Sequence, residues 1–282
     1  MSFKSSIQRF HIPPYNRNAV IQLIAFSGIG FVAVHLVWIT LIVYAVPEAK
    51  AYQLTFEYVG MSNWETLTQR WWTIFTYAWC HHGFWEWLSN MLWLYAFGNV
   101  VQNLVGYKQI IPLFVYSVVL GGLAFAGIQC IPQADLPASA LVMGAQGGIM
   151  GLMAAGLTLS PKYRIFLSEF FSVPLLLLAS VFTLLMLLNS EFRIAHIALL
   201  GSSALAGFLY MKLLQQGYQP GAWAYRLYTK MDTAFSPKET YKPLPNKTER
   251  ERAVDQILDK INERGYDSLS KSEKDLLRDT QR

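Results

Sequence analysis

The sequence predicts an all-α membrane protein, a bundle of six transmembrane helices with an interfacial loop after the first helix and a small soluble tail. The 282 residues are 53% hydrophobic, with a mean hydropathy of +0.27. Six apolar runs approach or exceed the length that crosses about 30 Å of hydrocarbon. Charge is distributed unevenly, with eight charged residues in 71–211 against 14 Lys or Arg and 11 Asp or Glu in 212–282.

The helices follow from the bounds of the apolar runs. Residues 1–18 form a basic, cytoplasmic N-terminus, and the first apolar run, about 28 residues, is too long for a signal peptide. The fourth span is short, which favours a start inside a protein cavity, and Pro174 within the fifth is tolerated in a bundle for the same reason. The membrane domain is predicted at 19–214, with spans at 19–46, 84–105, 109–131, 145–159, 165–188 and 194–214.

The loop after the first span and the charges of the connections predict the orientation. The segment from Pro47 to Arg70 is too mixed to cross, but its aromatic residues are typical of a membrane interface. Lys108, Lys162 and Arg164 follow spans two and four, so the positive-inside bias places both termini in the cytoplasm. We attribute the formal charge of +5 to contact with the lipid bilayer. No nucleic-acid partner is expected, since no basic stripe with interleaved aromatics occurs.

Cys80 and Cys130 are too few to define a disulfide framework. Two buried thiols that behave as small hydrophobic side chains are the ordinary expectation. Both cysteines fall near the outer ends of predicted spans, so a single disulfide is the alternative.

The tail divides into a linker and a helical module. Residues 215–247 are rich in Pro, Gly and Tyr, as an interfacial linker would be, and 248–282 are predicted to form an αα-hairpin. Gly265 supplies a helix stop, and Ser270 with Glu273 has capping-box spacing at the start of a second helix. The apolar stripe of the first helix is Val254, Ile257, Leu258 and Ile261. The hairpin is expected to cap the cytoplasmic side, with docking to another protein as the alternative.

Small residues on the fourth span predict close packing with the sixth. Gly147, Gly151 and Ala155 are four apart on one helical face, and Ser203 with Gly207 supplies a matching surface. One polar side chain, Gln146, stands at the mouth of this face.

The second span carries polar groups at helical spacing. His82, Glu86 and Asn90 are four apart and are predicted to stack on one face. An ionisable group at membrane depth is costly and marks a functional site or a hydrated cavity.

The order and spacing of these motifs over the membrane domain resemble the rhomboid family of intramembrane serine proteases. The resemblance implies a Ser–His dyad, in which the serine opens span four and the histidine lies in span six, while span two supplies the oxyanion hole. The motifs that carry it are Arg70-Trp71-Trp72, His81 to Asn90-Met91, Phe97-Gly98, Gly144-Ala145-Gln146-Gly147 and Ala195-His196.

Carried over position by position, the resemblance places Gln146 at the nucleophile, His196 at the base, and Glu86 with Asn90 at the oxyanion hole. His196, Asn90 and His81 match the family, whereas Leu199 replaces its usual Gly. Gln has neither a hydroxyl nor a thiol and forms no acyl-enzyme. An ionised Glu86 would oppose a stabilisation worth roughly 3 kcal/mol or more.

The sequence therefore predicts a catalytically degenerate rhomboid of a bacterial inner membrane that needs no cofactor or metal. This pseudoprotease would bind transmembrane clients or a membrane partner in a polar cavity. The predicted cavity comprises His81, His82, Glu86, Asn90, Gly144, Gln146 and His196.

Three alternatives remain open from the residues. The chain is an active endopeptidase if Ser202 or Ser203, on the helix of His196, replaces the lost nucleophile. A metal site from His82, Glu86 and His196 has suitable ligand types. A purely structural protein would pair the Gln146 amide with Glu86 or His196.

Overall fold

The computed structural model describes residues 18–131, 141–166, 172–190, 192–225, 256–261, 269–270, 272–274 and 277. The chain divides into two compact units, Met1–Phe235 and Ser236–Arg282. The first contains the helical bundle and the second contains the tail.

Helix α1 (Ala19–Val43) lies at the edge of the bundle. Its N-terminus is capped by Asn18, whose side chain accepts from the Ile21 N–H at 3.2 Å. At about 1.5 Å per residue its 25 residues extend about 38 Å, enough to cross a bilayer. Only four of them are buried, so most of its surface is left to lipid.

The predicted interfacial loop is a layer of short helices, α2 (Glu48–Val59), α3 (Trp64–Gln69) and α4 (Thr73–Thr76), followed by a 3₁₀ turn at Tyr77–Trp79. Hydrogen bonds to carbonyls at the end of α2 fix the layer. The Thr76 hydroxyl donates to Val59 O at 2.7 Å, and the Arg70 guanidinium donates to Glu57 O at 3.1 Å. The loop is therefore folded rather than irregular.

The core of the bundle surrounds helix α7 (Gln146–Leu159), which packs against α5 (Phe84–Val105), α6 (Ile110–Ile128), α8 (Leu175–Asn189) and α9 (Ile194–Gln215). Nine of the 14 residues of α7 are buried. A helix about 21 Å long is too short to cross a bilayer. Its enclosure by protein agrees with a start inside the bundle.

The prediction of a helical span over 165–188 is wrong at its start. Residues Arg164–Phe166 (β1) and Ser172–Pro174 (β2) form a two-stranded antiparallel sheet in which Ile165 opposes Val173. Pro174 precedes α8 and has extended backbone, with φ −62° and ψ 136°. A proline lacks the N–H that a helix interior needs, so the helix begins after it. The fold is thus mostly helical rather than all-α.

Three helical stretches among the described residues are long and apolar enough to cross a membrane, Ala19–Val43, Tyr107–Ile128 and Ile194–Gln215. Helices α7 and α8 are apolar but shorter. Helix α5 has 22 residues but carries the polar groups of the predicted site. Six spans remain a prediction.

The beginning of the predicted linker packs on the bundle. The Tyr116 hydroxyl donates to Pro220 O at 3.2 Å and accepts from the Trp223 indole N–H at 3.1 Å. Gln109, which accepts from the Tyr210 hydroxyl at 2.6 Å, donates through Nε2 to the Tyr225 hydroxyl at 2.5 Å. Residues 216–225 are therefore fixed against α6 and α9, and 226–247 lie outside the described residues.

In the tail unit, residues 256–261 and 272–274 are helical. Ser270 and Glu273 bond reciprocally, since the Ser270 N–H donates to Glu273 Oε2 at 2.7 Å and the Glu273 N–H donates to Ser270 Oγ at 3.4 Å. The Ser270 N–H, followed by the ammonium of Lys260, lowers the pKa of Glu273 to about 2. Val254, Gly265 and residues 262–268 lie outside the described residues, so the hairpin remains a prediction.

The cysteines form no disulfide. Cys80 is buried, as expected, but Cys130 is exposed. The prediction of two buried thiols is wrong for Cys130, which lies just beyond the end of α6.

Candidate functional site

The residues of the predicted cavity lie at or just before the beginnings of α5, α7 and α9. The chain enters α7 through an isolated β-bridge between Met61 and Val142. Gly144 then adopts φ +106° and donates its N–H to Tyr77 O at 2.8 Å. Residues with side chains rarely adopt this conformation, so glycine suits position 144 in the turn that leads to Gln146.

Gly144 faces the polar start of α5. A Cβ atom at Gly144 would lie 3.1 Å from Glu86 Oε1, 3.2 Å from Asn90 Nδ2 and 3.6 Å from His81 Cδ2. We call these four residues the Gly144 cluster. The Glu86 carboxylate also accepts from the His82 N–H at 3.1 Å, and a carboxylate in the first turn of a helix is favoured by the free N–H groups there.

His81 is fully buried, and neither of its ring nitrogens has a hydrogen-bond partner among the described residues. Burial lowers the pKa of His81 to about 4. The imidazole is therefore neutral at physiological pH and supplies no positive charge to the neighbouring Glu86.

The prediction that His82 shares a helical face with Glu86 and Asn90 is wrong, because α5 begins two residues later, at Phe84. His82 instead packs between α1 and α2. Its Nδ1 lies 3.3 Å from the Tyr52 hydroxyl, and its carbonyl lies 3.3 Å from His35 Nε2. Burial, and then the proximity of His35, lowers the pKa of His82.

Gln146 and His196 line one cavity of about 130 Å³, which we call the Gln146 cavity. Its other lining residues are Asn189, Ser190 and Arg193. Three of the lining residues thus come from the end of α8 and the turn before α9, and two come from the motifs that identify the site. Sequence reasoning missed these three residues, although a polar cluster between two apolar runs was the available signal.

The Gln146 side chain folds back on its own turn. Its Nε2 donates to Met143 O at 3.0 Å, because a side chain in the first turn of a helix reaches the carbonyl three residues before it. No hydrogen bond among the described residues joins Gln146 to Glu86 or His196, so the pairs expected for a purely structural protein are wrong. His196 packs edge-on against Phe125, and its Nδ1 is buried without a partner among the described residues.

The candidate relocated nucleophiles are both engaged with backbone carbonyls. The Ser203 hydroxyl donates to Ser117 O at 2.9 Å, and the Ser202 hydroxyl donates to Ala198 O at 2.7 Å. The described residues contain no group of three His, Cys, Asp or Glu side chains placed to hold a metal. His82, Glu86 and His196 therefore do not form one metal site.

The small residues of α7 and α9 face each other. A Cβ atom at Gly151 would lie 3.2 Å from Ser203 O, and one at Gly147 would lie 3.0 Å from Ser203 Oγ. Gly207 approaches the Gly151 backbone in the same way, and Ala155 is fully buried. Leu199 is also fully buried, and a Cβ atom at Gly147 would lie 3.5 Å from Leu199 Cδ2.

The residues of the predicted client cavity fall into three sets by the contacts described above. Gln146 and His196 share the Gln146 cavity, the Gly144 cluster holds His81, Glu86 and Asn90, and His82 belongs with Tyr52 between α1 and α2.

Comparison with known proteins gives two family matches. The model of the Rhomboid domain matches residues 68–216, more than half of the chain. A family of unknown function, DUF6576, matches residues 245–280 in the tail. No curated protein matches this chain.

Proposed function

This chain belongs to the rhomboid family, and from that premise we propose that it is a membrane-embedded pseudoprotease that binds transmembrane helices without cleaving them. The clients are membrane proteins whose helices dock beside the Gln146 cavity. The fold positions a polar cavity at the end of an apolar bundle, and the chemistry for cleavage is missing.

Gln146 carries the proposal. It stands at the position where the family resemblance implies the nucleophilic serine, and its carboxamide donates to Met143 O at 3.0 Å. A carboxamide nitrogen is not a nucleophile, so the base at His196 has nothing to deprotonate at this position. The residues that line the cavity nevertheless all carry hydrogen-bonding side chains.

Ser190 is the one hydroxyl residue among the described residues that line the same cavity as His196. Its hydroxyl donates to Leu187 O at 2.9 Å, as a residue at a helix C-terminus commonly does, and not to the imidazole. An activated serine needs a hydrogen bond to its base. Ser190 therefore favours the alternative of an active endopeptidase only weakly, and it supplies a specific variant for testing it.

The Gly144 cluster also opposes catalysis. The family resemblance places Glu86 at the oxyanion hole, and the neighbouring His81 is neutral at physiological pH because of its burial. If Glu86 is ionised, its carboxylate cannot donate the hydrogen bonds that stabilise a tetrahedral oxyanion. The first turn of α5 is thus suited to holding the Gly144 turn rather than to lowering a reaction barrier.

The apolar surface beside the cavity suits a helical client. Helix α8, whose last residue lines the Gln146 cavity, exposes Leu184, Leu185 and Leu188, each by at least 45%. Helix α5 exposes Leu92 and Trp85 by 67% and 78%. A transmembrane client would pack on such surfaces in place of lipid.

We further propose a bacterial inner membrane with both termini in the cytoplasm. Lys108 lies in the connection between α5 and α6, and Arg164 lies in β1, after α7. Their charge supports the positive-inside orientation. The site then opens on the outer side.

The test is incubation of the purified protein in detergent with a fluorophosphonate probe and a generic transmembrane substrate. An active rhomboid is the positive control, and His196→Ala and Ser190→Ala are the matched variants. We expect neither labelling nor cleavage. Labelling or cleavage that disappears in Ser190→Ala or His196→Ala would overturn the proposal and identify an active endopeptidase.

A further inference from the structure

We propose that a polar groove in the layer of short helices after α1 binds the headgroup of a phospholipid that carries both a phosphate and a primary ammonium, as phosphatidylethanolamine does. The groove has a volume of about 430 Å³ and is formed by α2, α3 and the residues that flank α3. We call it the α2–α3 groove. The polar residues used below that line it are Gln53, Glu57, Ser62, Thr66, Gln69 and Arg70.

Two side chains of opposite charge line the groove without pairing. The Arg70 guanidinium donates to the backbone carbonyl of Glu57 at 3.1 Å, and neither charged group forms an ion pair within the described part of the chain. A guanidinium has five N–H groups, so most of those on Arg70 remain for a ligand. A headgroup with one charge of each sign is complementary to both side chains, since Arg70 suits its phosphate and Glu57 its ammonium.

The uncharged side chains of the groove are also available to a ligand. Among the described residues, neither the hydroxyls of Ser62 and Thr66 nor the carboxamides of Gln53 and Gln69 have a hydrogen-bond partner. Hydroxyls donate to phosphate oxygens, and carboxamide oxygens accept from an ammonium. A choline headgroup has no N–H group to donate. The groove therefore favours a primary ammonium over a quaternary one.

The backbone and the cation of the groove are held in place by the protein itself. The Asn63 side chain caps α3 by accepting from the Thr66 N–H at 2.8 Å, and the Arg70 carbonyl accepts from the Thr73 hydroxyl at 2.8 Å. The Arg70 guanidinium lies 5.3 Å from the centre of the Tyr58 ring, a favourable contact for a cation. A ligand therefore loses less affinity to the ordering of the site.

Exposed aromatic residues of the same layer favour a lipid as the occupant. Tyr58, Trp64 and Trp71 are exposed by 48%, 45% and 67%. Tyr and Trp are enriched at the level of the headgroups, where their amphipathic rings are stable. The layer also follows directly after α1, which is long enough to cross a membrane. Phosphates and ammonium groups of lipids are concentrated at this depth.

The experiment is native mass spectrometry of the full-length protein in detergent with three phospholipids that have the same acyl chains. Their headgroups are ethanolamine, choline and glycerol, and they are added in equal amounts. We expect the ethanolamine lipid to be retained about fivefold more than either of the others, the ratio that one solvent-exposed ion pair supplies. Equal retention of the three lipids, or retention of none, would overturn the proposal.

Glu57→Gln tests the assignment of the ammonium. This variant removes the carboxylate but keeps the backbone carbonyl that Arg70 binds. We expect it to retain the ethanolamine and glycerol lipids equally. Glu65→Gln, in α3, is the matched control outside the described lining of the groove, and it should keep the preference of the unaltered protein. A preference that survives Glu57→Gln would also overturn the proposal.

The source of the headgroup is tested with glycerophosphoethanolamine, which has the same headgroup without acyl chains. At the concentration of the lipid it should leave the bound lipid in place, because the acyl chains add apolar contacts. Displacement would overturn the lipid as the occupant and show a site for a soluble phosphoethanolamine. The inference does not rest on the proposed function, and its failure would leave client binding at the Gln146 cavity untouched.

Discussion

Gly207→Ala is expected to destabilise the bundle at the contact between α7 and α9. A Cβ atom at Gly207 would lie 2.9 Å from Gly151 Cα, and closer still to the carbonyl carbon and oxygen of Gly151. Carbon atoms pack at about 3.5–4.0 Å, so the two helices must separate by ~1 Å. The obstacle is backbone, which cannot turn aside as a flexible side chain does.

The expected magnitude combines two opposing effects. Overpacking a well-packed core costs about 1–3 kcal/mol, and replacing a helical Gly by Ala returns up to about 1 kcal/mol. A net loss of about 1–2 kcal/mol follows. By the scaling for domains of 150–250 residues, this corresponds to a fall in Tm of roughly 2–8 °C.

The assay is thermal unfolding in one detergent, followed by tryptophan fluorescence. Gly201→Ala is the matched control, because it lies on the same helix with no atom within 4 Å of the new Cβ. We expect its Tm to be unchanged or raised. If the two variants have the same Tm, the close contact between α7 and α9 does not limit stability and the reasoning fails.

Three further predictions concern the site and its supports. Gln146→Ser alone should remain unlabelled by a fluorophosphonate, and adding Glu86→His should permit labelling; strong labelling of the single variant would show that Glu86 does not oppose the oxyanion. Tyr77→Phe removes the hydroxyl that donates to Val118 O at 2.8 Å within the core and should cost about 1–3 kcal/mol, so an unchanged Tm would contradict it. Acidification from pH 6.5 to 4 should lower the free energy of unfolding by up to about 3 kcal/mol through His81. The pKa of His81 is about 4 in the folded protein and lies below the usual 6.5, so the unfolded chain binds the proton first. His81→Gln should reduce this loss of Tm, and an equal loss in both proteins would refute the assignment.

Much of the helical framework is predictable from hydropathy and from the glycine residues that bound the helices. The second span is predicted at 84–105 and the helix occupies Phe84–Val105, because Gly83 and Gly106 bound a mostly apolar run. The fourth span, predicted at 145–159, differs by one residue from Gln146–Leu159. Gly83 and Gly106 at the boundaries of α5, and the Gly-rich turn before α7, are signals in the local sequence.

The fifth span shows where hydropathy fails. Residues 165–174 continue the apolar run of α8, and an apolar run alone does not distinguish a strand from a helix. Pro174 was interpreted as a tolerated interruption, whereas it marks the last extended residue before α8. Only the pairing of β1 with β2 decides this, and hydropathy carries no information on that pairing.

The candidate site was predictable in its identity but not in its arrangement. Gln146 and His196 were identified from their motifs, and they do line one cavity. The assignment of His82 to a face with Glu86 failed because His82 precedes the first residue of α5, Phe84, so its spacing of four from Glu86 is not a helical spacing. Arg193 carries no motif and joins the cavity only because the turn between α8 and α9 places it there.

The most direct test of the central claim follows binding and cleavage of one client helix at once. A transmembrane helix labelled at both ends is incorporated into vesicles with the full-length protein, whose own label reports docking by energy transfer. We predict docking with both ends of the helix still joined after prolonged incubation. Separation of the two ends, lost in His196→Ala, would contradict the account by showing a protease, and the absence of docking would contradict it by showing no client binding.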